Sequence, residues 1–186
     1  GYGKEIIITK YKDYSVKIED HGRGCPVDWN ENEQRYNWEL VYCELYAGGK
    51  YDKESMYNYA LGLNGLGACA TQYASKFTDV IVYRDGFEYN LHFEKGEIVG
   101  ELKKKKSSHP TGTTTHWLPD LEVFTDIDVP SEFFRDMCKR QSVVNAGISF
   151  RLLIENDGGA FDEEIFFYER GIIDYVEELA GENPLT

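Results

Sequence analysis

Two β-rich apolar runs open the chain, Ile6-Ile7-Ile8-Thr9 and Ser15-Val16-Lys17-Ile18-Glu19. The polar stretch Tyr11-Lys12-Asp13-Tyr14 lies between them, which predicts a hairpin. From Tyr36 to Leu45 the interval lengthens to a helical one, with Trp38, Val41, Tyr42 and Leu45 on one side and Gly48-Gly49 as the stop. A glycine-bracketed loop is expected up to Tyr59, then a helix over the small residues Ala68 to Ser75. Val80-Ile81-Val82-Tyr83 reads as a strand, Asp85-Gly86 as a turn, Tyr89 to Phe93 as a second strand, and Lys95-Gly96 as the next turn. The β-branched and aromatic run Thr113 to Leu118 predicts a strand that Pro119-Asp120 ends. A capped helix is expected over Ser131 to Val143, a strand over Ile148 to Ile154, and a turn at Asn156-Asp157-Gly158-Gly159. A strand over Ile165 to Tyr168 and a short helix over Gly171 to Leu179 complete the pattern.

Strands outnumber helices and cluster in turn-linked antiparallel runs, so the expected class is an α+β sandwich with helices on one face of the sheet. No repeat, low-complexity tract or Pro/Ser-rich linker divides residues 1–186, which read as a single domain. A chain of 186 residues buries roughly 70% of its unfolded surface and needs no disulfide or structural metal. Cys25, Cys43, Cys69 and Cys138 lie far apart, as do His21, His92, His109 and His116, so a zinc site is not expected. The formal net charge of −13 argues against this piece gripping nucleic acid by itself. The basic run Lys103 to Lys106 reads as a solvated loop or strand end, with a phosphate contact as the lesser reading. No apolar run reaches membrane-spanning length and no charged-then-apolar leader opens the chain, so a cytoplasmic location without membrane contact is expected.

Three clusters carry candidate chemistry. Asp20-His21-Gly22-Arg23-Gly24-Cys25-Pro26 puts an acidic residue at a strand end ahead of two glycines. Alone it is equally a strand-to-loop turn, with Asp20 capping and the glycines supplying positive φ, or a buried carboxylate accepting an exocyclic amine such as adenine's. Ala47-Gly48-Gly49-Lys50 is a flexible loop with a cation, suited to a lid over a polyphosphate. Gly62-Leu63-Asn64-Gly65-Leu66-Gly67 leads into a helix, where bare amides favour an anion. Its spacing fits neither the dinucleotide fingerprint nor the P-loop.

In this order, and followed by Thr111-Gly112-Thr113, these clusters resemble the ATP site of the GHKL superfamily, with its Bergerat-type two-layer sandwich and mixed, mostly antiparallel sheet. Within it the match is to gyrase B and topoisomerase IV B: Asp20-x-Gly22-Arg23-Gly24-x-Pro26-Val27, Leu45-x-Ala47-Gly48-Gly49-Lys50-x-Asp52, and Tyr168-Glu169-x-Gly171-Ile172-x-x-Tyr175-Val176 within the run Phe167 to Val176. The resemblance implies that Asp20 accepts the adenine amine, that Gly24 helps through a water, and that Thr113 bonds the same carboxylate and water. It implies further that Arg23 and Pro26 pack beside the base, Arg23 tied to an acidic side chain. Gly48, Gly49 and Lys50 would belong to the lid, and the amides of Leu63, Asn64, Gly65, Leu66 and Gly67 would wrap the phosphates.

Departures are a Tyr46 where the family usually has His, and Asn64 for a His in a phosphate loop that has also lost a Ser and a Gly. The family's first motif, a helix with a catalytic glutamate and a magnesium-binding asparagine, belongs ahead of Gly1. The chain therefore reads as an N-terminally truncated domain lacking that first helix, with no catalytic or metal-binding residue of its own and inactive alone. The implied parent is an ATP- and Mg2+-dependent type IIA topoisomerase that homodimerises on ATP binding and works with a gyrase A-type subunit on DNA. The alternative is a nucleotide-binding module with little or no turnover.

Overall fold

The computed structural model describes residues 3–47 and 65–181. The first expected hairpin is present: β1 (Glu5–Lys10) and β2 (Val16–Asp20) pair antiparallel, with Ile8 opposite Ile18. A second, two-stranded ribbon follows, β3 (Trp29–Asn30) with β4 (Arg35–Tyr36), which the sequence pattern did not announce because each strand is only two residues long. Helix α1 (Asn37–Cys43) starts where Glu39 accepts the Tyr36 amide at 2.8 Å. It is shorter than the expected 36–45 run.

Helix α2 (Gly67–Tyr73) stops before Ser75, because Ser75 already opens β5 (Ser75–Arg84). That strand is longer than its apolar centre Val80 to Tyr83, since half of it alternates inward and outward. After the Asp85-Gly86 turn come β6 (Phe87–Glu94), the short β7 (Glu97–Ile98), and β8 (Lys103–Lys106). The four-lysine run is thus a strand, exposed along its length. Next are β9 (Gly112–Pro119), α3 (Ser131–Val144), β10 (Ser149–Glu155), β11 (Phe161–Phe166) and α4 (Ile172–Ala180). Ser131 is not the cap of α3; Pro130 holds that position with extended backbone, and its fixed φ suits a helix entry. The expected 165–168 strand lies earlier, at 161–166, because β11 folds back directly from the Asn156–Gly159 turn and pairs Phe161 with Glu155.

The strands order as β11-β10-β1-β2-β9-β5-β6, with β7 and β8 both on the outer edge of β6. Every pairing is antiparallel except β1 with β10. The register decides which residues share a face. Leu152, Ile8, Ile18, Thr115, Val80 and Leu91 stand side by side across six strands. Both apolar clusters lie on that face. One joins Val80, Val82, Leu91 and Phe93 to Trp38 and Tyr42 of α1; the other joins Ile8, Val16, Phe150 and Leu152 to Phe134 and Cys138 of α3. This is the expected α+β sandwich, mixed and mostly antiparallel, with α1 and α3 on one side. Ile8 is 2% exposed, so Ile8→Val, which removes one buried methylene, is expected to cost about 0.5–1.5 kcal/mol. Urea unfolding checks it: a midpoint that does not move would place Ile8 outside the packed core.

Candidate functional site

Asp20 is the last residue of β2. Its register partner on β9 is Thr113, and Thr113 in turn faces Val82 on β5. Val82 is fully buried beneath the helices, so Asp20 and Thr113 project from the helical face too, since neighbours in register share a side. One carboxylate oxygen of Asp20, Oδ1, accepts the Gly22 amide at 2.8 Å. Oδ2 has no hydrogen bond among the described residues. The turn reading of Asp20 is therefore correct for one oxygen, and the other remains available as an acceptor.

The glycines after Asp20 have separate reasons. A Cβ on Gly22 would sit 2.8 Å from Asp20 Oδ1. Gly24 has φ +79°, and a Cβ there would lie 2.6 Å from the Tyr83 carbonyl oxygen. Gly112 is closest of all, at 2.2 Å from the Asp20 carbonyl oxygen for an added Cβ. Backbone thus crowds against backbone around Asp20, which fixes the direction of its side chain. Arg84 Nη1 donates to the Gly24 carbonyl at 3.0 Å, pinning the turn to the end of β5. Pro26 is half-buried, Arg23 is exposed, and Val27 anchors the segment in the core at 3% exposure.

Thr113 Oγ1 accepts the Cys25 amide at 3.0 Å. Its own hydroxyl proton can then point elsewhere, which is the requirement for the expected contact with the carboxylate or a water. Behind these residues the Tyr42 hydroxyl of α1 lies beside Thr115 and the Cys25 thiol. Burial pushes the Cys25 thiol up to about 12 and Tyr42 well above the ordinary phenol value. Both stay neutral, so Asp20 is the acidic group that faces this corner. Cys25, Tyr42, Thr115 and Arg84 were not singled out from sequence. Only the strand register and the packing of α1 bring them together, and no motif spacing signals that.

The second half of the predicted site is partly described. Gly65 has φ +62°, Leu66 is the N-terminal cap of α2, and Gly67 is its first residue. A Cβ on Gly67 would meet nothing within 4 Å among the described residues. Amides in a first helical turn have no acceptor within the helix. Helix α2 packs against α1 and touches β5 and β9, which puts it on the same side of the sheet as Asp20. Gly48, Gly49, Lys50, Leu63 and Asn64 lie outside the described residues. Hollows lined by described residues are found elsewhere, such as one of about 470 Å³ on the open face around Asp79, His92 and His116. No group of three or more His, Cys, Asp or Glu among the described residues could hold a metal ion, and no described helix is long and apolar enough to cross a membrane.

A sandwich of this topology, with an acidic strand end followed by a glycine turn and a glycine-led helix on the same face, defines a domain of the GHKL ATPase class. No protein-family model matches the chain. Its relatives are specific nonetheless. It is 34% identical over its whole length to the B subunit of the type 2 topoisomerase of Aquifex aeolicus. It is 35% identical over 98% of its length to the B subunit of DNA topoisomerase 4 of Enterococcus faecalis. The chain spans 23% and 26% of those relatives, about a quarter of each. In three dimensions it matches the 43K ATPase domain of Thermus thermophilus gyrase B, solved with an aminocoumarin, at a TM-score of 0.79 and 25% identity over 98% of this chain and 45% of that one. The chain is thus similar along its whole length to part of the gyrase B and topoisomerase IV B subunits, and its fold is that of their ATPase domain.

Proposed function

We propose that residues 1–186 form one domain that holds ATP for a type IIA DNA topoisomerase, the whole protein coupling ATP binding and hydrolysis to duplex passage. The observation that carries this reading is Asp20, whose second oxygen has no partner among the described residues, on the helical face, in register with Thr113 and beside a turn in which Gly24 has no room for a Cβ against the Tyr83 carbonyl. In this reading the adenine amine donates to Asp20 Oδ2, while Gly24, Thr113 and a water hold the ring edge. Pro26 and Arg23 flank the base. Gly65, Leu66 and Gly67, with Leu63 and Asn64, direct amides at the phosphates, and Gly48, Gly49 and Lys50 close over them. Half-buried, Asp20 and Thr113 make such donor and acceptor matches selective once a base covers them, because a wrong base leaves a polar group unpaired.

Magnesium is the expected companion of the triphosphate. The described residues offer no cluster that fits it, so no step is assigned to the ion through them. A gyrase A-type subunit, DNA and a second copy of the B-type chain are the partners this reading gives the whole protein.

The test is titration of the whole protein with a non-hydrolysable ATP analogue, followed by ATP turnover with Mg2+ in the presence and absence of duplex DNA. Saturable binding and turnover that duplex DNA stimulates are expected. Binding without turnover would replace the topoisomerase reading by a nucleotide-binding module, and no binding would remove both.

A further inference from the structure

Strand β8 is unlike the rest of a chain whose net charge is −13. Its four residues are all lysines, all exposed, and it forms an outer edge of the sheet, paired only with β6. Side chains alternate along a strand. Lys104 and Lys106 therefore lean to one side of the edge, and Lys103 and Lys105 to the other. Lys105 is occupied, its Nζ 2.8 Å from Glu88 Oε1. Lys104 is not paired with an acid; its ammonium lies 4.1 Å from the Phe87 ring centroid and 5.2 Å from that of Tyr89. The ammonium rests against those ring faces, which do not neutralise its charge, and the side chain is exposed to solvent. Lys103 and Lys106 have no ion-pair partner among the described residues.

A protected sheet edge needs a charge or two to repel strand addition. Four in succession, three of them uncompensated, exceed that need. The acids beside β8 are Glu88, held by Lys105, and Glu101 and Asp79, which line the same hollow as Lys103; Lys104 and Lys106 lie on the other side of the edge, and charges beyond a screening length of about 8 Å weigh little there. We infer that β8 is a contact for the phosphodiester backbone of duplex DNA, made by Lys103, Lys104 and Lys106. The strand offers mobile point charges with no fixed fork of donors, so the contact is blind to base sequence, as backbone contacts are. It adds to binding located elsewhere in the whole protein and does not hold DNA alone. This inference rests on the proposal that the whole protein acts on DNA.

The experiment compares the whole protein with its Lys103→Gln/Lys104→Gln/Lys106→Gln variant, reading duplex affinity across a salt series, DNA-stimulated ATP turnover, and turnover without DNA. Each lysine that displaces counterions contributes about −0.9 to the slope of log affinity against log salt. The variant's slope should therefore be shallower by roughly 2 to 3, with DNA stimulation reduced and DNA-free turnover unchanged. The matching triple Arg variant should behave as wild type. An unchanged slope and unchanged stimulation overturn the inference, including the case in which the Gln variant only aggregates more readily, which would leave edge protection as the sole role. Loss of binding to an acidic polypeptide with no change toward duplex would also overturn it. Failure of DNA to stimulate the wild-type protein would instead strike the topoisomerase reading, and the salt slope would still judge the lysines.

Discussion

Asp20→Asn is expected to weaken ATP binding by the whole protein by about 1.5–3 kcal/mol, the worth of a hydrogen bond to a charged group. The substitution keeps size and keeps one oxygen. If that oxygen retains the Gly22 amide, the amide NH2 faces the adenine NH2, donor against donor. If the side chain flips, the Gly22 turn loses its acceptor. Either arrangement leaves one buried group unsatisfied. Calorimetry with an ATP analogue should show roughly a ten-fold to hundred-fold loss, since each 1.4 kcal/mol is a factor of ten. Melting temperature without nucleotide separates the two arrangements, because only the flipped one disturbs the fold. Unchanged affinity would remove Asp20 from the base.

Much of this corner was legible in the chain before folding. Apolar, β-branched and aromatic runs located β1, β2 and β9, and alternation located β10, each to within a residue or two. The Asp20-Gly22-Gly24 spacing was legible because the backbone needs glycine there, and steric need leaves a trace in sequence. What stayed hidden is what register creates. Thr113 stands far from Asp20 along the chain yet directly across from it, by the pairing of β2 with β9. Arg84 reaches Gly24 only because β5 ends beside the turn. Tyr42 and Cys25 meet because α1 packs on that part of the sheet. The β3–β4 ribbon was missed for a different reason: its four paired residues are too few to show any period.

The lysine strand shows the limit of reading composition alone. A run of four cations looks like a solvated loop, and its role as a strand depends on β6 offering Phe87 to Asn90 as a pairing edge. Propensity disfavours Lys in strands only weakly, so one good partner overrides it.

Gly24→Ala is expected to be strongly damaging to the site, for reasons that add. At φ +79° an L-residue loses about 1–2 kcal/mol to its own carbonyl. Its Cβ would also sit 2.6 Å from the Tyr83 carbonyl oxygen and 3.2 Å from Val82 Cγ1, and overpacking of this kind costs about 1–3 kcal/mol. The combined loss, about 2–5 kcal/mol, falls on a contact between backbone atoms, where no side chain can swing aside. Relief requires the turn to lift from β5, which would break the bond from Arg84 to the Gly24 carbonyl and shift the Cys25 amide away from Thr113. Gly86→Ala is the control. Gly86 has φ +77° with nothing within 4 Å of an added Cβ, so it bears the torsional share alone. Urea unfolding of both variants should therefore show Gly24→Ala less stable than Gly86→Ala by about 1–3 kcal/mol, with nucleotide affinity falling only in the former. Equal destabilisation of the two would mean that the turn is loosely seated on β5, and that the carboxylate of Asp20 is not held by it.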